Sequence, residues 1–102
     1  MAPITVQGDV AIAGWAQNGA GGRAFLRQDD MGWFVEVCAG KGLLMPEMLT
    51  GLGLAEADAA TLLAAVIKAE TALGPDTIAL FDSFDGELFI GREGHAHGAA
   101  TN

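Results

Sequence analysis

Apolar and polar positions alternate in short runs between Val10 and Gly40. The runs are VAIAGWAQ (Val10–Gln17), RAFLRQ (Arg23–Gln28) and WFVEVCAG (Trp33–Gly40), parted by breaks at Asn18–Gly22 and Asp29–Gly32. Alternating runs of this length between Gly, Asn and Asp clusters read as consecutive antiparallel strands in a meander. Upstream, Ile4–Gln7 and Val10–Gln17 flank Gly8-Asp9, a tight-turn signal that makes a further hairpin. A glycine inside a strand marks a bulge or the close approach of another element, so Gly14 is expected to sit at one or the other.

The period then changes from two to that of a helix. Pro46 opens a short helix to Leu52, since proline suits a first helical turn. The main helix is expected over Ala55–Leu73, with Glu56 and Asp58 at its positive end and a stripe of Leu62, Val66, Ala69 and Leu73, widened by Leu63 and Ile67. Gly74-Pro75 stops it. Residues 76–91 carry two competing signals. Asp85-Gly86 is a hairpin turn, yet Ile78, Phe81 and Phe84 recur at helical spacing. The reading adopted is a helix over Pro75–Phe84 and a last strand over Glu87–Ile90. The fold class is therefore α+β: an antiparallel meander sheet of four to five strands with helices packed on one face. Residues 1–91 form one domain, and 92–102 a flexible Gly/Ala/His tail.

Strict alternation assigns the faces. Val10 and Ile12, Ala24 and Leu26, and Trp33, Val35 and Val37 are expected toward the core. Trp15, Arg23, Phe25, Arg27, Phe34 and Glu36 are expected on the opposite face, with Glu36 pairing Arg23 or Arg27 across strands. The aromatic members of that second face, Trp15, Phe25 and Phe34, make it a candidate contact surface.

Charge removes several functions. The chain of 102 residues has a formal net charge of -8, and its five basic residues are scattered. Nucleic-acid binding needs a clustered basic face, and an anionic membrane surface needs the same. No apolar run is long enough to span a bilayer. The single cysteine, Cys38, excludes an internal disulfide.

Catalytic chemistry finds little footing. Ser83 is the only serine and no histidine lies near it in sequence. Asp29, Asp30, Asp82 and Asp85 fall at turns, where aspartate serves the local backbone. Asn18–Gly22 opens a strand, whereas a phosphate-binding glycine loop opens a helix. Ala39–Gly42 lacks the P-loop spacing. No set of nucleophile, base and orienting group can be assembled, so the chain is expected not to be an enzyme.

Soft and borderline metal ligands are present. Cys38, Met45 and Met48 are candidates for Cu(I), and His95 and His97, a His-x-His pair in the tail, for Cu(II). The same residues have plain readings: methionine as core filler, a lone cysteine as a buried inert thiol, and the His pair as incidental.

The runs VAIAGWAQ (Val10–Gln17), GGRAFLR (Gly21–Arg27) and WFVEVCAG (Trp33–Gly40), with AEADAA (Ala55–Ala60) and IALFDSFDG (Ile78–Gly86), resemble a small family of bacterial copper uptake system-associated proteins. The GWAQ, GGRA and CAG elements are the most specific parts. The resemblance implies a non-enzymatic accessory of copper uptake or homeostasis, periplasmic, that binds copper weakly or binds a copper chaperone or transporter component. Met1-Ala2-Pro3 leads straight into a strand-like run, so the periplasmic expectation comes from the resemblance alone. The alternative is a protein–protein interaction module without metal, using the Trp15, Phe25 and Phe34 face.

Overall fold

The computed structural model describes residues 3–91. Strands β1 (Ile4–Gln7), β2 (Val10–Gln17), β3 (Ala20–Asp29) and β4 (Gly32–Ala39) follow one another. A 3-10 turn (Lys41–Leu44) then leads to helices α1 (Pro46–Gly51), α2 (Glu56–Thr71) and α3 (Pro75–Asp82), and β5 (Glu87–Phe89) closes the series. The sheet is an antiparallel meander in the order β1-β2-β3-β4-β5. The α+β class, the five strands and the helical reading of Pro75 onward agree with the pattern in the sequence. The Asn18–Gly22 break is a two-residue turn. Asn18 (φ 56°) and Gly19 (φ 81°) both take left-handed conformations, as a primed hairpin turn requires, and Gly21-Gly22 lie within β3.

The core lies between the sheet and the helices. Val10, Ile12, Phe25, Val37 and Ala39 from the sheet meet Leu43, Leu49, Ala59, Leu62, Leu63 and Val66. Burial of each large aliphatic or aromatic side chain here contributes about 1.5–3 kcal/mol. Gly14 sits under α3: a Cβ there would stand 2.5 Å from Cε2 and Cζ of the buried Phe81. Its place in the strand is thus a close approach, one of the two expected alternatives.

The assignment of faces needs two corrections. In β3, Arg23, Phe25 and Arg27 point toward the helices, and Ala24 and Leu26 point away, because Ile12 stands opposite Phe25 and Ala13 opposite Ala24. Phe25 is fully buried and is a core residue, not part of a contact surface. In β4, the partner of Phe25 is Val37 while that of Leu26 is Val35, which leaves Glu36 as an extra residue in a bulge. A bulge breaks the alternation. Trp33 and Val35 therefore face away from the helices, while Val37 faces the core.

The stripe of α2 is also rotated from the expected one. Its buried residues are Ala59, Leu62, Leu63, Val66 and Glu70, while Ile67 and Leu73 are exposed. The buried side continues through Glu70, whose partner is Arg23, and not through Leu73 as expected.

Candidate docking surface

The two arginines on the helix side of β3 are held in different ways. Arg23 is fully buried. Its Nε and Nη2 donate to the two carboxylate oxygens of Glu70 at 2.8 and 2.7 Å, and Nη1 donates to Asp82 Oδ1 at 2.8 Å and to the Gly40 carbonyl at 3.0 Å. Burial works against its charge, but the bonds to Glu70 and Asp82 and the charges of those carboxylates outweigh it and hold its pKa above the ordinary arginine value. One side chain thus ties β3 to α2, to the end of α3 and to the exit of β4. Arg27, half-buried, donates from Nε to Glu36 Oε1 at 2.6 Å and from Nη2 to the Leu52 carbonyl at 2.6 Å. Of the two partners expected for Glu36, Arg27 is the one found. Ser83 is bound to backbone: its Oγ accepts from the Gly21 N–H at 3.2 Å and donates to the Leu80 carbonyl at 2.6 Å. Asp82, read from sequence as a turn aspartate, is a ligand of Arg23. All of these polar groups serve the architecture.

A groove of about 400 Å³ opens between the β1–β2 turn and the start of α2, lined by Gln7, Asp9, Val10, Arg27, Leu54 and Asp58 among others. Its guanidinium is already engaged by Glu36 and Leu52, and Gln7 Nε2 donates to the Asp58 carbonyl at 2.9 Å. None of its lining residues is a serine, cysteine or histidine.

The candidate metal ligands are spread across the fold. Cys38 stands opposite Ala24 and Leu88, on the sheet side facing away from the helices. Met48 packs against the core on the helical side, and Met45, at the N-cap of α1, is half exposed. Cys38 and Met48 therefore lie on opposite sides of the sheet. Burial raises the Cys38 thiol pKa, which disfavours the thiolate form that binds metal. His95 and His97 lie outside the described residues. Among the described residues, no three His, Cys, Asp or Glu side chains converge where a metal ion could sit.

The remaining surface with a pattern is the sheet face turned away from the helices. By register it carries Ile4 and Val6 from β1, Ala11, Ala13 and Trp15 from β2, Ala24, Leu26 and Gln28 from β3, Trp33, Val35 and Cys38 from β4, and Leu88 from β5. None of these is charged. Ile4 (59%), Val6 (57%), Leu88 (52%) and Trp33 (41%) remain exposed on it, while Ala11, Ala13 and Ala24 between them are buried. The helices α1, α2 and α3 all belong to the other layer. Trp15, half-buried, sits edge-on to Phe84 with ring centroids 6.0 Å apart. Phe34 stands opposite Arg27, on the helix side. Of the expected Trp15, Phe25 and Phe34 trio, then, only Trp15 belongs to this face. The residues that give it its character, Ile4, Val6, Leu26 and Leu88, are missing from the sequence-based contact set. The signal that could have found them is the pairing of apolar β1 residues with the alanines of β2.

The fold and this surface define a two-layer α+β domain, one layer a five-stranded meander with an apolar outer face. Comparison with protein-family models, with curated proteins and with solved structures finds no match.

Proposed function

We propose that the chain is a non-enzymatic interaction domain that docks through the outer face of its sheet. The observation that carries this reading is the uncharged, apolar composition of that face, with Ile4, Val6, Trp33 and Leu88 exposed on it. Large apolar side chains left exposed on one uncharged sheet face fit a recognition surface, and the polar clusters elsewhere in the fold are occupied in holding elements together. The test is site-specific photo-crosslinking in native cells. A photoreactive residue at position 6 or 88 is expected to give discrete protein adducts, while one at position 67, on the exposed side of α2, gives none. Equal labelling from all three positions, or none from positions 6 and 88, refutes the reading.

The resemblance to copper uptake system-associated proteins supports a second reading of the same surface, in which the docked protein handles copper in the periplasm. One observation favours it: the sole thiol, Cys38, is half-buried on this face rather than in the core. In this version Cys38 meets metal only together with ligands from the partner. The isolated domain is then expected to bind Cu(I) no better than its Cys38→Ala variant in a competition titration with a chromophoric chelator. Tight binding by the isolated domain that is lost in Cys38→Ala would instead indicate a metal site within the chain.

A further inference from the structure

We infer that the docked partner supplies an extended segment that pairs, main chain to main chain, with the free edge of β1. The added strand is apolar at alternate positions and basic beside Gln7. The inference rests on the docking reading and adds the form and chemistry of what docks.

Hydrogen bonding selects the occupant. β1 stands at one end of the sheet order, so only one of its sides is paired. The Gly14 N–H donates to the Pro3 carbonyl at 3.1 Å, which makes these two residues a hydrogen-bonded pair. Bonded and non-bonded pairs alternate along an antiparallel ladder. Thr5 with Ile12 and Gln7 with Val10 are therefore bonded pairs, while Ile4 with Ala13 and Val6 with Ala11 are not. The N–H and C=O groups of Ile4 and Val6 consequently point out of the sheet edge. Two donors and two acceptors in line, at the spacing of alternate strand residues, are matched by another extended main chain. A helix, whose main chain is bonded within itself, presents no such row.

The edge is also unguarded. Natural edges are blunted by charge, proline or a bulge. From Ile4 to Gln7, β1 has no charge and no proline, and its pairing with β2 keeps one register. The opposite edge strand, β5, is one residue shorter and carries Glu87. Ile4 and Val6 are more than half exposed on the outer face. A strand added beside them places every second side chain on that face, where apolar residues cover both.

Charge sets the remaining positions. The other side chains of the added strand fall on the helix side, beside Thr5 and Gln7. At the Gln7 end lies the groove lined by Asp9 and Asp58, and its arginine, Arg27, is paired with Glu36. Neither aspartate has an ion-pair partner among the described residues. A lysine or arginine there meets two carboxylates, and the formal charge of -8 steers a basic segment toward the chain.

The test takes its probe from a phage-displayed library of random peptides, panned on the purified full-length chain. Enriched sequences are expected to alternate apolar with polar residues and to carry Lys or Arg. The synthetic peptide is expected to slow hydrogen exchange at the Ile4 and Val6 amides at least about tenfold, measured by NMR, and to leave Thr5 and Gln7, already bonded to β2, unchanged. N-methylation of one alternate set of peptide amides abolishes binding, while methylation of the other set is tolerated, because a strand uses every second amide at one edge. Val6→Pro removes a donor that β2 does not use, and proline is accepted at such a position of an edge strand. It is expected to weaken binding at least about tenfold, whereas Val6→Ala, which keeps the N–H, weakens it less than about threefold. Circular dichroism checks the fold, and the methylated peptides carry the test should Val6→Pro unfold. Equal loss in Val6→Ala and Val6→Pro overturns the inference, as does a failure to enrich any peptide. Protection of Ile4 and Val6 on concentrating the chain without peptide also overturns it, in favour of pairing between two copies. If positions 6 and 88 crosslink to a protein in cells while both methylated sets bind alike, the docking reading survives and the strand does not. If those positions crosslink only to residues 92–102 of the same chain, both fail.

Discussion

Replacing Arg23 by methionine tests whether the fold is locked as the geometry indicates. The substitution keeps the length of the side chain and removes the guanidinium. Glu70, only 3% exposed, loses both of its bonds, and Asp82 and the Gly40 carbonyl lose theirs. Breaking a buried pair by removing one partner costs about 3–5 kcal/mol, because the remaining charge is left uncompensated. For a domain this small, each kcal/mol moves the melting temperature by roughly 4–8 °C, so a fall of at least about 12 °C is expected. Such a loss is a large part of a typical total stability of about 5–15 kcal/mol.

The second arm separates burial of the charge from loss of the contacts. In Arg23→Met/Glu70→Met no unpaired charge is left in the deepest part of the network, and apolar replacement of a buried pair is often close to neutral. The double variant is therefore expected to recover most of the stability lost by Arg23→Met. Urea unfolding followed by circular dichroism gives the four corners of a double-mutant cycle. A loss below about 1 kcal/mol in Arg23→Met, the range of exposed pairs, would refute the reasoning. So would strictly additive losses in the double variant, since contacting partners are expected to couple.

Three further outcomes follow from the same structure. Gly14→Ala places a methyl against the ring of Phe81 and is expected to cost about 1–3 kcal/mol by overpacking; Phe81→Leu in the same chain should return part of it in thermal unfolding. Arg27→Met is expected to cost only about 1 kcal/mol, since that ion pair is partly exposed, and thermal melts beside Arg23→Met measure the contrast. Cys38 should alkylate with a pH midpoint above that of a free thiol, because burial disfavours its thiolate. The linkage has a definite sign: the unfolded chain releases the thiol proton first, from about pH 8.5. Stability therefore falls as pH rises from there through the higher folded-state value, and Cys38→Ser, with no thiol to ionise, is expected to lose that part of the slope.

The elements were legible in the sequence because each is set by local chemistry. Asn18-Gly19 specifies the β2–β3 turn, Pro46 and Pro75 sit at helix starts, and Gly74 with φ 98° ends the preceding helix. What was not legible is which way the strands face, and each of the two misreadings has its own cause. Arginine at Arg23 and Arg27 looks like a solvent marker in an alternating strand. It stops being one when a carboxylate is delivered to it by the fold, and Glu70 and Asp82 lie 47 and 59 residues away from Arg23. The bulge at Glu36 leaves no composition signal. Its position is fixed by pairing: Glu36 reaches Arg27 while Val37 still packs on Phe25.

The candidate surface follows from those two corrections together. Once Arg23, Phe25 and Arg27 turn inward, Ala24 and Leu26 must turn outward, and the bulge sends Trp33 and Val35 the same way. The helix side of the sheet thus carries the apolar core together with the paired charges of Arg23, Arg27 and Glu36, and the outer side carries uncharged strand residues. Antiparallel sheets with one covered face ordinarily turn polar residues outward on the other. Stability alone gives no reason for the ion pair buried on the covered side, because such a pair is seldom better than an apolar replacement. An apolar outer face has a use only when something is to be placed against it. The uncharged outer face, with Ile4, Val6, Trp33 and Leu88 exposed on it, is therefore the feature on which the proposed docking role rests.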